Sequence, residues 1–133
     1  MESTTKAEVV ERKPLPDSGG RTEFETGSVR DSMEGKGCPN QLPIAALKAA
    51  SRRFELGSYK YGERNWEKGQ CFSRYIDAIY RHLWGFMEGC EEEDHLSAVI
   101  WNAMCLYQTD EWIKEGKLPE ELRDIVNTQN PVK

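Results

Sequence analysis

Read for its apolar positions alone, the chain is quiet for forty residues and then falls into a helical beat. Ile44, Leu47, Ala50 and Phe54 recur at i, i+3, i+6 and i+10, one stripe of an amphipathic helix with Pro43 in its first turn and Gly57 as its stop. Residues 58–71, SYKYGERNWEKGQC, are broken by glycines and crowded with charges and rings, which predicts a binding loop. A second helix is expected from Ser73, whose hydroxyl suits a cap, carrying Ile76, Ile79, Leu83 and Phe86 on its core face and closing at Gly89. The run Glu91–Asp94 opens a third helix that reaches about Trp112, with Leu96, Val99, Ala103 and Leu106 at core spacing. Pro119 and the two acids after it predict a short fourth helix.

No segment alternates at period two over a useful length, so the expected fold class is all-α: a small antiparallel helical bundle over residues 41–127. Residues 1–20 mix charges with Pro14, Pro16, Gly19 and Gly20, a composition that does not repay ordering, and they are expected to form a disordered leader. Residues 21–40 have only Phe24, Val29 and Met33 as anchors, which predicts an extended arm whose Arg21, Arg30 and Lys36 are available to an anion. Residues 128–133 are expected to be a flexible tail.

Charge narrows the partners. With 18 basic and 23 acidic residues the net charge is -5, and the ordered part lacks the basic footprint that phosphate backbones require, so nucleic acid is not the expected partner. No run approaches the roughly 20 apolar residues of a membrane span. The first residues lack a signal peptide's apolar stretch, so a cytoplasmic protein is expected. Cys38, Cys71, Cys90 and Cys105 form no C-x-x-C pair and read as reduced thiols. Trp66, Trp84, Trp101 and Trp112 are a heavy aromatic load for some ninety residues of body, which suggests a homo-oligomer.

The candidate chemistry is acidic and imidazole-bearing. Glu91, Glu92, Glu93 and Asp94 are four adjoining acids; some favour a helix N-terminus, but together they repel, and a divalent ion relieves the repulsion. Asp77 and Glu88 lie roughly 16 Å apart along one helix, too far to share an ion, so any metal must bridge helices. A short connection between the second and third helices brings His82 and Asp77 toward the face carrying His95 and Asn102. The loop offers Lys60 and Arg64 for phosphates, and Asn65, Tyr61 and Trp66 for a base. Plainer readings stand beside these: a solvated helix start, an Asp77–Arg81 surface salt bridge and a Trp66 that plugs the bundle. Under them the chain is a non-catalytic helical interaction module.

Taken together, SGGRTEFETGSVRD, LPIAAL, FELGSYKYGERNWEKG, RYIDAIYRHL and EDHLSAVIWNAM, followed by GKLPEEL, resemble the dATP/dGTP diphosphohydrolase N-terminal domain family of small bacteriophage proteins, to which the MazZ enzymes of phages with 2-aminoadenine genomes belong. The resemblance covers about residues 18–125. It implies a MazG-like hydrolase that converts dGTP or dATP, with Mg²⁺ (or Mn²⁺) as cofactor, to the monophosphate and pyrophosphate; another dNTP is the alternative substrate. In phages with 2-aminoadenine DNA, the dGMP feeds a PurZ-type synthase. The matched motifs imply Glu55, Asp77, Glu93 and Asp94 for metal, and His82, His95 and Glu93 for catalysis. They imply Lys60, Tyr61, Arg64, Asn65, Trp66, Arg81 and Asn102 for substrate. The wider superfamily's E-x-x-E and E-x-x-D signature has only the letter matches Glu88/Glu91 and Glu121/Asp124, the second in a Pro-led turn where acids are expected anyway.

Overall fold

The computed structural model describes residues 19–125, in two compact units divided after Gln41. The expected tail and all but the last two residues of the expected leader lie outside the described residues.

In the first unit the expected extended arm contains a small hairpin. Strands β1 (Arg21–Glu23) and β2 (Val29–Asp31) pair antiparallel, Arg21 opposite Asp31 and Thr22 opposite Arg30. Gly27, at φ +86°, makes the reversal, and its amide bonds the Phe24 carbonyl at 2.8 Å. Asp31 lies 3.6 Å from Arg21 Nη1 and 2.8 Å from Lys36 Nζ, so two of the cations expected to meet an anion already face a carboxylate.

The second unit is the expected all-α bundle, built from α1 (Ile44–Tyr61), α2 (Phe72–Met87) and α3 (His95–Lys114), with 3-10 turns at Asn65–Lys68 and Glu120–Leu122. The predicted fourth helix is that last single turn. Helix α1 runs through Gly57 and absorbs the first four residues of the predicted loop. One interior glycine costs only about 1 kcal/mol, and the true stop is Gly62 at φ +94°, whose amide caps the Ser58 carbonyl.

Ser73 does not cap α2 in the expected way. Cys71 holds the cap position without a side-chain bond, while the Ser73 amide donates at 2.8 Å to Asp124 Oδ1 and its hydroxyl donates to Asp124 Oδ2. A carboxylate 51 residues away thus satisfies the first turn.

Helix α3 is central, packing most extensively on α2 and then on α1. The face it buries is His95, Ala98, Asn102, Cys105, Thr109 and Ile113, not the expected Leu96, Val99, Ala103 and Leu106; Leu96 is 43% exposed. A helix pressed from two sides favours small side chains. The polar ones bond their own backbone: Asn102 Nδ2 donates to the Ala98 carbonyl at 2.8 Å, and Thr109 Oγ1 donates to that of Cys105 at 2.7 Å. On α2 the buried residues are Phe72 and Tyr75, and on α1 Ala50, while the expected core residues Leu83, Phe86, Ile44 and Leu47 remain exposed. Three tryptophans join one aromatic cluster: Trp66 stacks on Trp112 with centroids 5.6 Å apart, and Phe54 lies 5.7 Å from Trp66 and 5.8 Å from Trp101. No helix among the described residues is long and apolar enough to cross a membrane.

Candidate functional site

The connection after α2 and the start of α3 bring together His82, Glu93 and His95. Their facing ligand atoms all lie within 4.8 Å of one another. The two Nδ1 atoms are 2.9 Å apart, and Glu93 Oε1 lies 3.7 Å from His82 Nδ1 and 3.9 Å from His95 Nδ1. His95 is buried, and its Nε2 is 2.9 Å from Glu92 Oε1. Glu92 therefore favours the tautomer with hydrogen on Nε2, which leaves the Nδ1 lone pair facing the cluster. Gly85 makes room for this ring: a β-carbon there would stand 2.9 Å from His95 Nε2.

Arg53, on α1, fixes the third member. Its Nη2 lies 2.8 Å from both Glu93 Oε2 and the Asp94 carbonyl, and its Nε lies 3.0 Å from Ser97 Oγ. The Arg53 hydrogen bond holds the Glu93 carboxyl below the usual carboxylate range, and burial pushes the His82 imidazole below its ordinary value despite the Glu93 charge. Both shifts favour the deprotonated forms that metal ligation requires.

The donors fit a divalent ion. Two atoms each about 2.1 Å from one ion stand ~3.0 Å apart at a right angle and ~3.4 Å apart at the tetrahedral angle; the 2.9 Å between the Nδ1 atoms matches the first, while the 3.7 and 3.9 Å to Glu93 Oε1 call for wider angles.

Beyond the cluster, α1 and the Asn65–Lys68 turn enclose a cavity of about 540 Å³, within the range of small-molecule sites. Phe54, Trp66, Trp101 and Tyr61 give it flat apolar surfaces; Ser58, Arg64, Asn65, Glu67 and Gln70 give it polar ones. Gly57, with no side chain to fill it, is part of the lining. Arg64, at φ +60°, pairs with Glu67 at 2.6 Å. Trp101 follows His95 by six residues on α3, ~9 Å along the axis and on a different face, and Phe54 of the cavity follows Arg53 directly on α1.

The expected residues thus divide into groups. Tyr61, Arg64, Asn65 and Trp66 line the cavity, and Lys60 Nζ lies 5.1 Å from the Tyr61 ring centre. His82, Glu93 and His95 form the cluster; Asp94 adjoins it as the N-cap of α3, its Oδ1 accepting from the Ser97 amide at 3.1 Å. Glu55, Asp77 and Arg81 are exposed and belong to neither group, and Asn102 is buried with an amide hydrogen on its own helix. Sequence reasoning missed Arg53 and Ser97, and read Phe54 and Trp101 only as core and aromatic load. Arg53 carried one faint signal, a charge bordering the Ala50–Phe54 apolar stripe.

The model of the dATP/dGTP diphosphohydrolase N-terminal family matches residues 26–117, which include both the cavity and the cluster. No curated protein and no solved structure is similar enough to the chain to count as a match. The family match spans more than half of the chain, and the protein belongs to the dATP/dGTP diphosphohydrolase N-terminal family.

Proposed function

We propose that the protein hydrolyses purine deoxynucleoside triphosphates, dGTP and dATP, to the monophosphate and pyrophosphate. The observation that carries this reading is that Arg53, which holds Glu93 of the His–Glu–His cluster, is the neighbour on α1 of Phe54, which lines the aromatic cavity. An aromatic cavity beside a cluster of metal-ligating groups suits a ligand with a flat base at one end and anionic phosphates at the other. Family membership supports the same substrate class.

In this reading the base enters among Trp66, Phe54, Trp101 and Tyr61, and Asn65 and Gln70 meet its polar edge. Lys60 lies next to Tyr61 and offers a positive charge to the phosphates at the cavity. His82, Glu93 and His95 would hold a divalent ion, which would supply charge neutralisation and polarisation of the phosphates. Arg53 keeps Glu93 Oε1 turned to the imidazoles by occupying Oε2. His82 and Glu93 are the cluster members that solvent reaches, so an attacking water would approach the cluster from their side. The triphosphate would add the oxygen donors that Mg²⁺, or Mn²⁺, prefers. In a phage with 2-aminoadenine DNA, the dGMP formed would enter precursor synthesis.

A homo-oligomer belongs to the same proposal. Tyr80, Leu83, Trp84, Phe86 and Met87 leave the second half of α2 apolar and exposed, and a second copy of the chain would cover it.

The deciding experiment is incubation of the full chain with each of the four dNTPs and a divalent metal, with products separated by chromatography. Monophosphate plus pyrophosphate from dGTP and dATP is the expected result. Release of inorganic phosphate, or no turnover, would overturn the proposal.

A further inference from the structure

We propose that His82, Glu93 and His95 hold a resident first-row transition ion, of the Fe²⁺, Co²⁺, Ni²⁺ or Zn²⁺ kind, in preference to Mg²⁺. This rests on reading the cluster as a metal site. Two of its three donors are imidazole nitrogens, 2.9 Å apart, which suit these ions, whereas Mg²⁺ selects oxygen and keeps most of its water. One donor, His95, is 7% exposed and pinned from behind by Glu92, while α2 approaches it closely enough to need a glycine at 85. A ring so enclosed excludes the hydration shell that Mg²⁺ gives up reluctantly. The far oxygen of Glu93 is engaged by Arg53, so two of the three donors are oriented by partners outside the cluster, as in built metal sites. Three protein donors leave positions open for substrate or water.

The test strips the full chain with a chelator and titrates Co²⁺, followed by its visible d–d absorption. One equivalent should bind and persist in a large excess of Mg²⁺. His82→Gln should abolish the band, and Glu92→Gln should weaken binding about 10- to 100-fold. Circular dichroism checks the fold. If a histidine variant does not fold, Glu93→Gln, at a partly exposed position, carries the same expectation. Displacement by equimolar Mg²⁺, or a Co²⁺ band unchanged in folded His82→Gln or Glu93→Gln, overturns the inference. The two readings fail separately. A Co²⁺-loaded chain that hydrolyses no dNTP overturns the proposed function and leaves this site standing; dNTP turnover with Co²⁺ uptake indifferent to these variants does the reverse.

Discussion

Arg53 Nη2 lies 2.8 Å from Glu93 Oε2, joining the middle of α1 to the residue that precedes the cap of α3. The same guanidinium also bonds the Asp94 carbonyl and Ser97 Oγ. Arg53→Ala is expected to cost about 1–2 kcal/mol, limited by the solvent exposure of Glu93, and to lower activity far more than stability because Glu93 is no longer held. Arg53→Lys should recover little, since an ammonium lacks the fork that serves three acceptors. Denaturant melts beside kcat/KM measure the two effects; equal recovery of both by lysine would refute the assignment.

Gly85 gives a second test, because its two effects oppose. Alanine is worth about 1 kcal/mol over glycine inside a helix, whereas overpacking costs ~1–3 kcal/mol. A β-carbon 2.9 Å from the His95 ring forces that ring to move. Gly85→Ala should therefore change stability modestly and lower activity and metal affinity strongly. Full activity in this variant would show that His95 is not needed in its present position.

Trp66 contributes both to the core and to the cavity. Trp66→Ala should cost ~3 kcal/mol, the low end for a buried aromatic because the residue is only half-buried. Trp66→Phe keeps a ring against Trp112 and should raise KM for the proposed purine substrate more than it changes kcat. Unaltered KM in the phenylalanine variant would remove Trp66 from the base site.

Acid should loosen the clasp between α2 and the final turn. The Ser73 hydroxyl and amide hold the Asp124 carboxyl below its ordinary 3.8. A carboxyl depressed in the folded state contributes stability above its unfolded value, and that contribution is lost as pH falls through the folded value. Wild-type Tm should fall more steeply than that of Asp124→Asn between about pH 5 and pH 2. Parallel curves would mean the bond is absent in solution.

Trp84 is 57% exposed against Tyr80 on α2. If a second copy covers this face, Trp84→Glu should yield a monomer by light scattering where the wild type is larger. A wild-type monomer at high concentration would end the oligomer reading.

The bundle was legible because Ile44 to Phe54 and Ile76 to Phe86 repeat at helical spacing. The hairpin was not, since strands of three residues are too short to show alternation. Nor was the buried face of α3: Ala98, Asn102, Cys105 and Thr109 are small or polar, and hydropathy favours the neighbouring leucines. In the site, His82, Glu93, His95 and the Tyr61–Trp66 segment were visible from residue type and local order. Arg53, 40 residues from Glu93, and Trp101, which meets Phe54 only through helix packing, depend on tertiary geometry that periodicity does not encode.

The Ser73–Asp124 clasp has a practical consequence for anyone cutting the gene. A fragment stopped at residue 117, where the family match ends, loses the carboxylate that closes the start of α2 and also Arg123, which pairs with Asp110 and lies 5.3 Å from the Phe72 ring centre. Such a fragment keeps every residue of the cavity and cluster yet should fray where α2 begins, so the smallest dependable expression unit extends through Asp124.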